Sequence, residues 1–208
     1  MRELRVRLEA VTPLLLGGAN PKGSPELRPP SFRGVMRYWL RAALGGVIGD
    51  SNLEGLHKLE SAVFGSPDVG SPISIRLRPL NIGRSRAYIL PHKNKGRRDG
   101  LIGDLELVMT QTRKQDTVIW NAACASLELA LTFGGVGLRS RRGYGTLRIV
   151  EASEPSIATF PKTFSGWKQH VSRVASSAIQ AARALADAQG VPLSVLPVGP
   201  AVYPCATQ

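Results

Sequence analysis

The sequence predicts an α+β fold, and three observations lead to that class. Apolar residues make up 43% of the 208 residues, which is enough for a packed core. Several short segments alternate apolar and polar residues, a pattern that indicates strands with one buried face. Other segments repeat apolar residues every three or four positions, which indicates helices. Their order is strand, helix, strand, strand, helix, strand, the split β-α-β arrangement of a ferredoxin-like βαββαβ domain.

The first part of this domain is predicted to contain one strand and two helices. Residues 4–9 alternate apolar and charged side chains and predict a strand. Residues 17–30 contain three Gly and four Pro and predict a loop. Ser31 is the expected N-cap of a helix that ends at Gly45-Gly46. A short second helix is expected over about 53–64.

Two further strands are predicted on either side of a polar insertion. Residues 73–78 and 101–112 show the same alternation of apolar and polar side chains. Residues 81–102 are mostly polar and basic, with glycine at three positions. They predict a loop that is inserted between the two strands.

The last part of the domain is predicted to contain a helix, a glycine-rich loop and a strand. The helix is expected over about 115–132, the loop over 134–145 and the strand over 147–150. An Ala-rich segment over 166–189 predicts one more helix. The expected domains are residues 1–150, with the insertion at about 81–102, and residues 151–208. The second consists of a helical appendage and a tail over 190–208 that is Pro-rich and uncharged.

The charge balance predicts a polyanionic partner. The chain has 27 Lys and Arg against 15 Asp and Glu, a net charge of +12 with a pI of about 10.5. Residues 1–100 carry 17 basic and 8 acidic side chains, and residues 101–150 carry 6 and 4. Residues 151–208 carry only 4 and 3. We therefore expect nucleic acid to bind to the first 150 residues.

Several other classes are not expected. No apolar run has the roughly 20 residues of a membrane helix, and the charged N-terminus does not resemble a signal peptide. Cys124 and Cys205 are far apart and predict neither a disulfide framework nor a zinc site. We therefore expect a cytoplasmic protein that has no cofactor, no bound metal and no membrane contact.

A first candidate site is a row of arginines on the first helix. Arg33, Arg37 and Arg41 are four residues apart and lie on one face of a helix. Arg28, Ser31 and Arg33 surround the start of that helix, where free backbone N–H groups favour a phosphate. A solvated basic face is the alternative interpretation.

The glycine-rich loop is a second candidate site. Its five glycines in twelve residues allow the backbone to approach a ligand closely. Its arginines can hold phosphates, and Tyr144 can stack on a base. A flexible helix–strand connection is the alternative. The residues of this loop that are expected to contact nucleic acid are Gly135, Gly137, Arg139, Ser140, Arg141, Arg142 and Tyr144.

The polar insertion is a third candidate site. Six basic residues between positions 84 and 98 could form an arm on nucleic acid, or a merely solubilising loop. The expected contacts in it are Lys93, Lys95, Arg97 and Arg98. By contrast, His57, His92 and His170 have no evident catalytic partner in the sequence, so no catalytic residue is expected.

Three segments resemble the RAMP superfamily of CRISPR proteins. Residues 27–41 resemble its first-helix motif, 60–65 its E-x-x-x-F-G helix end, and 134–145 its glycine-rich loop. Within the superfamily the match is best to the first RAMP subunit of type III-B (Cmr) effector complexes. The resemblance covers about residues 1–150. Familiar members are longer and contain two RAMP-like halves, whereas this chain has room for one half and a helical appendage.

The resemblance implies a non-catalytic RNA-binding subunit of a type III-B-like effector ribonucleoprotein in antiviral defence. Such a subunit binds guide RNA near its 3′ end, helps to capture target RNA and contacts other RAMP subunits. The first helix and the glycine loop would flank the RNA, and the insertion at 81–102 would be a thumb-like arm. RAMP subunits that cut target RNA have an Asp in the loop after the first strand, whereas the loop over 17–30 contains only Glu26.

Two alternatives remain. One is a metal-independent endoribonuclease that processes precursor CRISPR RNA with His57 as the base. The glycine loop argues against it, since such enzymes usually carry this loop near the C-terminus, and here about 60 residues follow it. The other is a general RNA-binding module.

Overall fold

The computed structural model describes residues 2–20, 23–90, 95–113, 117–155 and 157–194. The order of elements is the predicted one, including the helix predicted after the βαββαβ unit. The elements are β1 (Glu3–Leu14), α1 (Pro29–Ile48), α2 (Leu53–Phe64), β2 (Ile73–Leu90), β3 (Lys95–Gln111), α3 (Thr117–Phe133), β4 (Leu147–Ala152) and α4 (Phe164–Ala188).

The strands form one antiparallel sheet in the order β2-β3-β1-β4. The first strand therefore lies at the centre, between β3 and β4. Leu8 of β1, for example, lies opposite Leu105 of β3 on one side and Ile149 of β4 on the other. This strand order and the alternation of strands with α1 and α3 confirm the predicted ferredoxin-like fold.

The core lies between one face of the sheet and the helices. Leu4, Val6 and Leu8 of β1 are fully buried, while the residues between them are exposed, as the period-2 pattern predicts. The buried side chains of α1, α3 and α4 belong to the same apolar cluster, including Val174 and Leu185 of α4. The predicted division of the chain at residue 150 stays a prediction.

The prediction of a loop over 81–102 is wrong. Strands β2 and β3 continue past the sheet as a two-stranded antiparallel ribbon, residues 82–90 and 95–103. Most residues of the ribbon are polar or glycine, so the segment lacks the regular apolar alternation that predicts a strand. Its two strands are joined by cross-strand pairs, such as Arg86 Nε at 3.1 Å from Asp99 Oδ1, and Ala87 and Leu101 are buried in it. His92 and Lys93 lie outside the described residues.

The predicted ends of the first helix are also wrong. Helix α1 begins at Pro29, Arg28 is its N-cap residue, and Ser31 lies inside the first turn. Proline suits this start because its missing N–H would lack a helical partner there, and its φ is already helical. The helix continues through Gly45-Gly46 and ends only before Gly49, which has a φ of 88°.

Candidate nucleic-acid interface

Main-chain hydrogen bonds hold the glycine loop (residues 134–145) against the end of β1. The N–H of Leu138 donates to the carbonyl of Leu15 at 2.9 Å. The N–H of Gly145 donates to the carbonyl of Pro13 at 3.1 Å. The position of the loop is therefore set by backbone atoms, and these bonds involve no arginine side chain.

Two glycines make this close packing possible. Gly145 has a φ of 72°, and a Cβ there would overlap the carbonyl oxygen of Val136. Gly137 has a φ of 99°, and a Cβ there would lie 2.8 Å from the carbonyl oxygen of Leu15. Only glycine fits such positions without strain. The close backbone approach predicted for this loop is therefore made to the protein's own strand.

The tip of the loop presents three arginines. Arg139 has a φ of 64° and precedes a single 3₁₀ turn, Ser140–Arg142. Arg141 and Arg142 are exposed, whereas Arg139 and Ser140 are half-buried. None of these three guanidinium groups forms an ion pair with another described residue. Three neighbouring cations without a carboxylate create a local positive potential.

The arginines of α1 are in a different position. Arg37 Nε lies 2.6 Å from Oε1 of Glu60 in α2, and Arg41 Nη1 lies 2.7 Å from Oε2 of the same carboxylate. The Glu60 side chain is only 12% exposed, so the three groups form a partly buried ion-pair cluster. Arg33 Nη2 donates to the carbonyl of Ile73 at 3.3 Å. The row therefore faces α2 and the start of β2.

The sequence allowed two interpretations of the arginine row, a phosphate-binding site and a solvated basic face. The row is not a solvated basic face, because Glu60 and Ile73 bind its guanidinium groups. The contact of these arginines with RNA stays a prediction. At the start of α1, Arg28 is exposed and Ser31 is half-buried. The partner, Glu60, was missed as a functional candidate, although the E-x-x-x-F-G motif singles it out.

The glycine loop is also joined to the ribbon. The Tyr144 hydroxyl donates to the main-chain carbonyl of Tyr88 at 2.7 Å. The guanidinium carbon of Arg97 lies 4.9 Å from the centre of the Tyr88 ring, and Arg97 also donates to the Tyr88 hydroxyl. Arg98 is half-buried. Lys95 lies on β3 at the far end of the ribbon, and Lys93 is outside the described residues.

The outer face of the sheet is electrically balanced. Its basic side chains on β1, β2 and β4 pair with carboxylates of β1 and β3. The pairs are Arg5–Glu3, Arg5–Glu106, Arg7–Asp104, Arg76–Glu3, Arg78–Glu106 and Arg148–Glu9. A polyanion therefore meets more unpaired positive charge at the glycine loop than on this face.

Three aromatic residues beside the glycine loop were not predicted as site residues. Tyr38 and Trp39 are on α1, and Phe133 is the last residue of α3. The guanidinium carbon of Arg141 lies 5.7 Å from the centre of the Tyr38 ring. Tyr38 and Trp39 stand between two arginines in the segment Arg37-Tyr38-Trp39-Leu40-Arg41, and this mixture of aromatic and basic residues is a sequence signal that could have found them. Phe133 lies outside that segment.

The histidines of the described residues occupy unlike positions. His57 is exposed on α2. His170 is 5% exposed, its Nε2 lies 3.2 Å from Thr132 Oγ1, and Phe160 and Trp167 pack against its ring. Burial, followed by the positive charge of Arg173, holds the pKa of His170 below its ordinary value. This histidine therefore serves packing between α3 and α4.

The residues that the structure describes contain no group of three or more His, Cys, Asp or Glu placed to hold a metal ion. Burial raises the pKa of the Cys124 thiol, which suppresses the nucleophilic thiolate. In this same part of the chain, no helix is both long and apolar enough to cross a membrane.

Comparisons with known proteins agree with this architecture. A model of the RAMP superfamily matches residues 7–148. Two CRISPR system Cmr subunits of Pyrococcus furiosus are similar to the chain. Cmr1-2 is 28% identical over 184 residues, which cover 72% of this chain and 96% of that protein. Cmr1-1 is 31% identical over 166 residues, which cover 70% of this chain and 47% of that protein.

Solved structures show the same fold. The crystal structure of apo Cmr1 from Pyrococcus furiosus superimposes with a TM-score of 0.68 at 25% identity. The superposition covers 87% of this chain and 60% of that one. A chain of the type III-B Cmr-beta complex bound to cognate target RNA gives a TM-score of 0.60 at 12% identity, over 84% of this chain and 62% of that one. The chain thus spans nearly all of one relative, but only about half to two thirds of the others.

Proposed function

The chain belongs to the RAMP superfamily, and on this premise we propose that it is a non-catalytic RNA-binding subunit of a type III-B-like CRISPR effector ribonucleoprotein. Its similarity to two Cmr subunits supports the assignment to a Cmr-type assembly. Other RAMP subunits are its expected protein partners, and the cytoplasm is its expected compartment.

The observation that carries the proposal is the triplet Arg139, Arg141 and Arg142 at the tip of the glycine loop. Among the described residues these guanidinium groups form no ion pair, whereas Arg37 and Arg41 of α1 and the arginines of the outer sheet face do. Guanidinium groups bind phosphate oxygens in a bidentate manner. A guanidinium group without an ion pair can do so without first breaking a bond to a carboxylate. The glycine loop is therefore the proposed phosphate-binding centre.

The proposed ligands are guide RNA near its 3′ end and the target RNA paired with it. Contacts to phosphates dominate such binding and carry little base preference. Sequence specificity then comes from pairing between guide and target, as in other RNA-guided systems. The ribbon, which Tyr144 and Tyr88 join to the loop, extends the proposed RNA path as the thumb-like arm.

A gel experiment without metal tests the proposal. The purified full chain is incubated with labelled CRISPR repeat RNA, and binding and cleavage are read on the same gel at two salt concentrations. We expect binding that weakens steeply with salt and RNA that stays intact.

Two outcomes would contradict the proposal. A discrete cut inside the repeat that disappears in His57→Ala would identify a processing endoribonuclease with His57 as its base. If the chain showed no salt-sensitive RNA binding at any protein concentration tested, the proposed RNA-binding role would be wrong.

A further inference from the structure

Tyr38, Trp39 and Phe133 form an aromatic cluster beside the glycine loop. The ring centres of Tyr38 and Trp39 are 5.6 Å apart at an interplanar angle of 89°. Those of Trp39 and Phe133 are 5.7 Å apart at 36°. The cluster therefore connects the middle of α1 with the end of α3.

The cluster is not part of the closed core. Tyr38 and Trp39 are half-buried, and Phe133 is 40% exposed. In the same fold Phe32 and Trp120 are at most 2% exposed, so this core is able to enclose large rings completely. The three rings of the aromatic cluster instead keep part of their surface in solvent.

Gly134 allows the indole of Trp39 to pack closely against the start of the glycine loop. A Cβ at this position would lie 2.6 Å from Nε1 of Trp39 and 2.5 Å from the carbonyl oxygen of Ala130. A larger residue would therefore push the indole away from the loop. This glycine is the first residue of the loop that carries the arginines.

Positive charge lies directly on the cluster. The guanidinium carbon of Arg141 is 5.7 Å from the centre of the Tyr38 ring, and Arg142 is exposed next to it in sequence. Partly exposed aromatic rings and arginines that form no ion pair among the described residues are the two components of single-strand recognition. Rings stack on bases of any sequence, and guanidinium groups hold the phosphates between those bases.

We propose that the aromatic cluster is a stacking site for an unpaired base of single-stranded RNA, with the adjacent phosphate on Arg141 and Arg142. This inference rests on the proposed RNA-binding function and adds the class of ligand, since the faces of paired bases inside a duplex are not accessible. It also places the site on the helical side of the fold. Strands β1, β3 and β4 contain no aromatic residue.

Phe133→Ala tests the stacking site, with Phe164→Ala as the matched control. Phe164 is 89% exposed at the start of α4 and loses the same ring on substitution. The probes are an oligouridine strand, an abasic strand of the same length and an RNA duplex, all at one salt concentration. Stacking on one ring contributes about 1–3 kcal/mol, so we expect Phe133→Ala to weaken oligouridine binding by about tenfold. Binding of the abasic strand and the duplex should change less than about twofold, as should all three affinities of Phe164→Ala.

Tryptophan fluorescence gives an independent readout that does not depend on affinity. The described residues contain Trp39, Trp120 and Trp167, of which Trp120 is buried. We expect oligouridine to quench the emission of the wild-type chain and of Trp167→Phe. In Trp39→Phe the quenching should be lost, although the retained ring keeps the fold.

The outcomes separate this inference from the proposed function. Unchanged oligouridine affinity in Phe133→Ala would overturn the stacking site, while salt-dependent binding of all three probes would leave the RNA-binding role intact. If the wild-type chain bound none of the three probes, both the stacking site and the proposed RNA-binding function would be wrong. If Phe133→Ala bound RNA normally but no longer joined Cmr-type subunits, the cluster would be a protein interface and the stacking site would be wrong.

Discussion

The hydroxyl of Tyr144 lies 2.7 Å from the main-chain carbonyl oxygen of Tyr88, to which it donates. This single bond joins the tip of the glycine loop to the ribbon formed by β2 and β3. Because the acceptor is a backbone atom, the bond depends on the path of the ribbon and not on the side chain at position 88. Two segments that are 56 residues apart thus have a defined spacing.

Tyr144→Phe should loosen this connection without unfolding the domain. The change removes one hydrogen bond, which stabilises a protein by about 1 kcal/mol. We expect faster amide hydrogen exchange at residues 86–89 and 139–145, measured by mass spectrometry. Tyr88→Phe is the control, because it keeps the carbonyl acceptor. Equal acceleration in both variants would show that the Tyr144 bond does not connect the segments.

Replacing Arg139, Arg141 and Arg142 together with Ala should weaken RNA binding and reduce its salt dependence. Each phosphate contact to a single strand contributes about 0.7 to the slope of log affinity against log salt, so the slope should fall by about 2. The control replaces Lys162, Lys168 and Arg183, which are exposed and far along the chain, for the same change in net charge. A slope that falls equally in both variants would place the RNA elsewhere.

Glu60→Gln should destabilise the packing of α1 against α2. The change removes the negative charge from a carboxylate that binds Arg37 and Arg41 and is only 12% exposed. Because the two arginines are 33% and 45% exposed, solvent screens the loss, and we expect about 1–2 kcal/mol in urea unfolding. Glu54→Gln changes an exposed carboxylate of the same helix and should cost less than about 0.5 kcal/mol.

Two glycines of the loop should differ in their tolerance of alanine. Both have a φ above +70°, but a Cβ at Gly145 overlaps the Val136 carbonyl, whereas one at Gly143 meets open space. Gly143→Ala should cost about 1 kcal/mol for the backbone conformation alone. Gly145→Ala should cost more than about 2 kcal/mol in thermal or urea unfolding, since the overlap is added. Equal losses would mean that the loop moves to accept the methyl group.

His170 should make the stability of the fold depend on pH. Burial and the charge of Arg173 lower its pKa in the folded state, so the unfolded chain takes up a proton first as the pH falls below the ordinary value of 6.5. The stability that the neutral ring contributes is present above that value and is lost below it. The unfolding temperature should therefore drop between about pH 7.5 and pH 5.5.

A substitution isolates this contribution. In His170→Gln the drop in unfolding temperature over that pH range should be smaller than in the wild-type chain. His57→Gln, at an exposed position, should leave the drop unchanged. An identical drop in all three chains would assign the pH dependence to other groups.

The sequence predicts the parts of the fold that alternate between solvent and core. Strand β1 and helix α1 have one apolar side, and their burial follows that pattern, whereas helix α3 is buried on nearly all sides. The ribbon could not be predicted in this way. It contains cross-strand pairs such as Arg86 and Asp99, whose partners become adjacent only once the register of the two strands is known.

In the candidate site, too, the sequence predicts contiguous motifs but not contacts between distant segments. The glycine loop is recognisable because its glycines and arginines are contiguous in the sequence. Glu60 of α2 binds Arg37 and Arg41 of α1. This contact between two helices cannot be predicted from the spacing of the arginines alone. The meeting of Tyr38 with Arg141 depends on the packing of two segments about 100 residues apart.

Backbone bonds from Leu138 and Gly145 to the end of β1 place the glycine loop, so folding makes little demand on the arginines that it displays. The number of positive charges at the tip can therefore change by single substitutions while the scaffold stays the same. Selection can therefore adjust the affinity of the proposed RNA-binding site in small steps, and each step is reversible because the scaffold does not change.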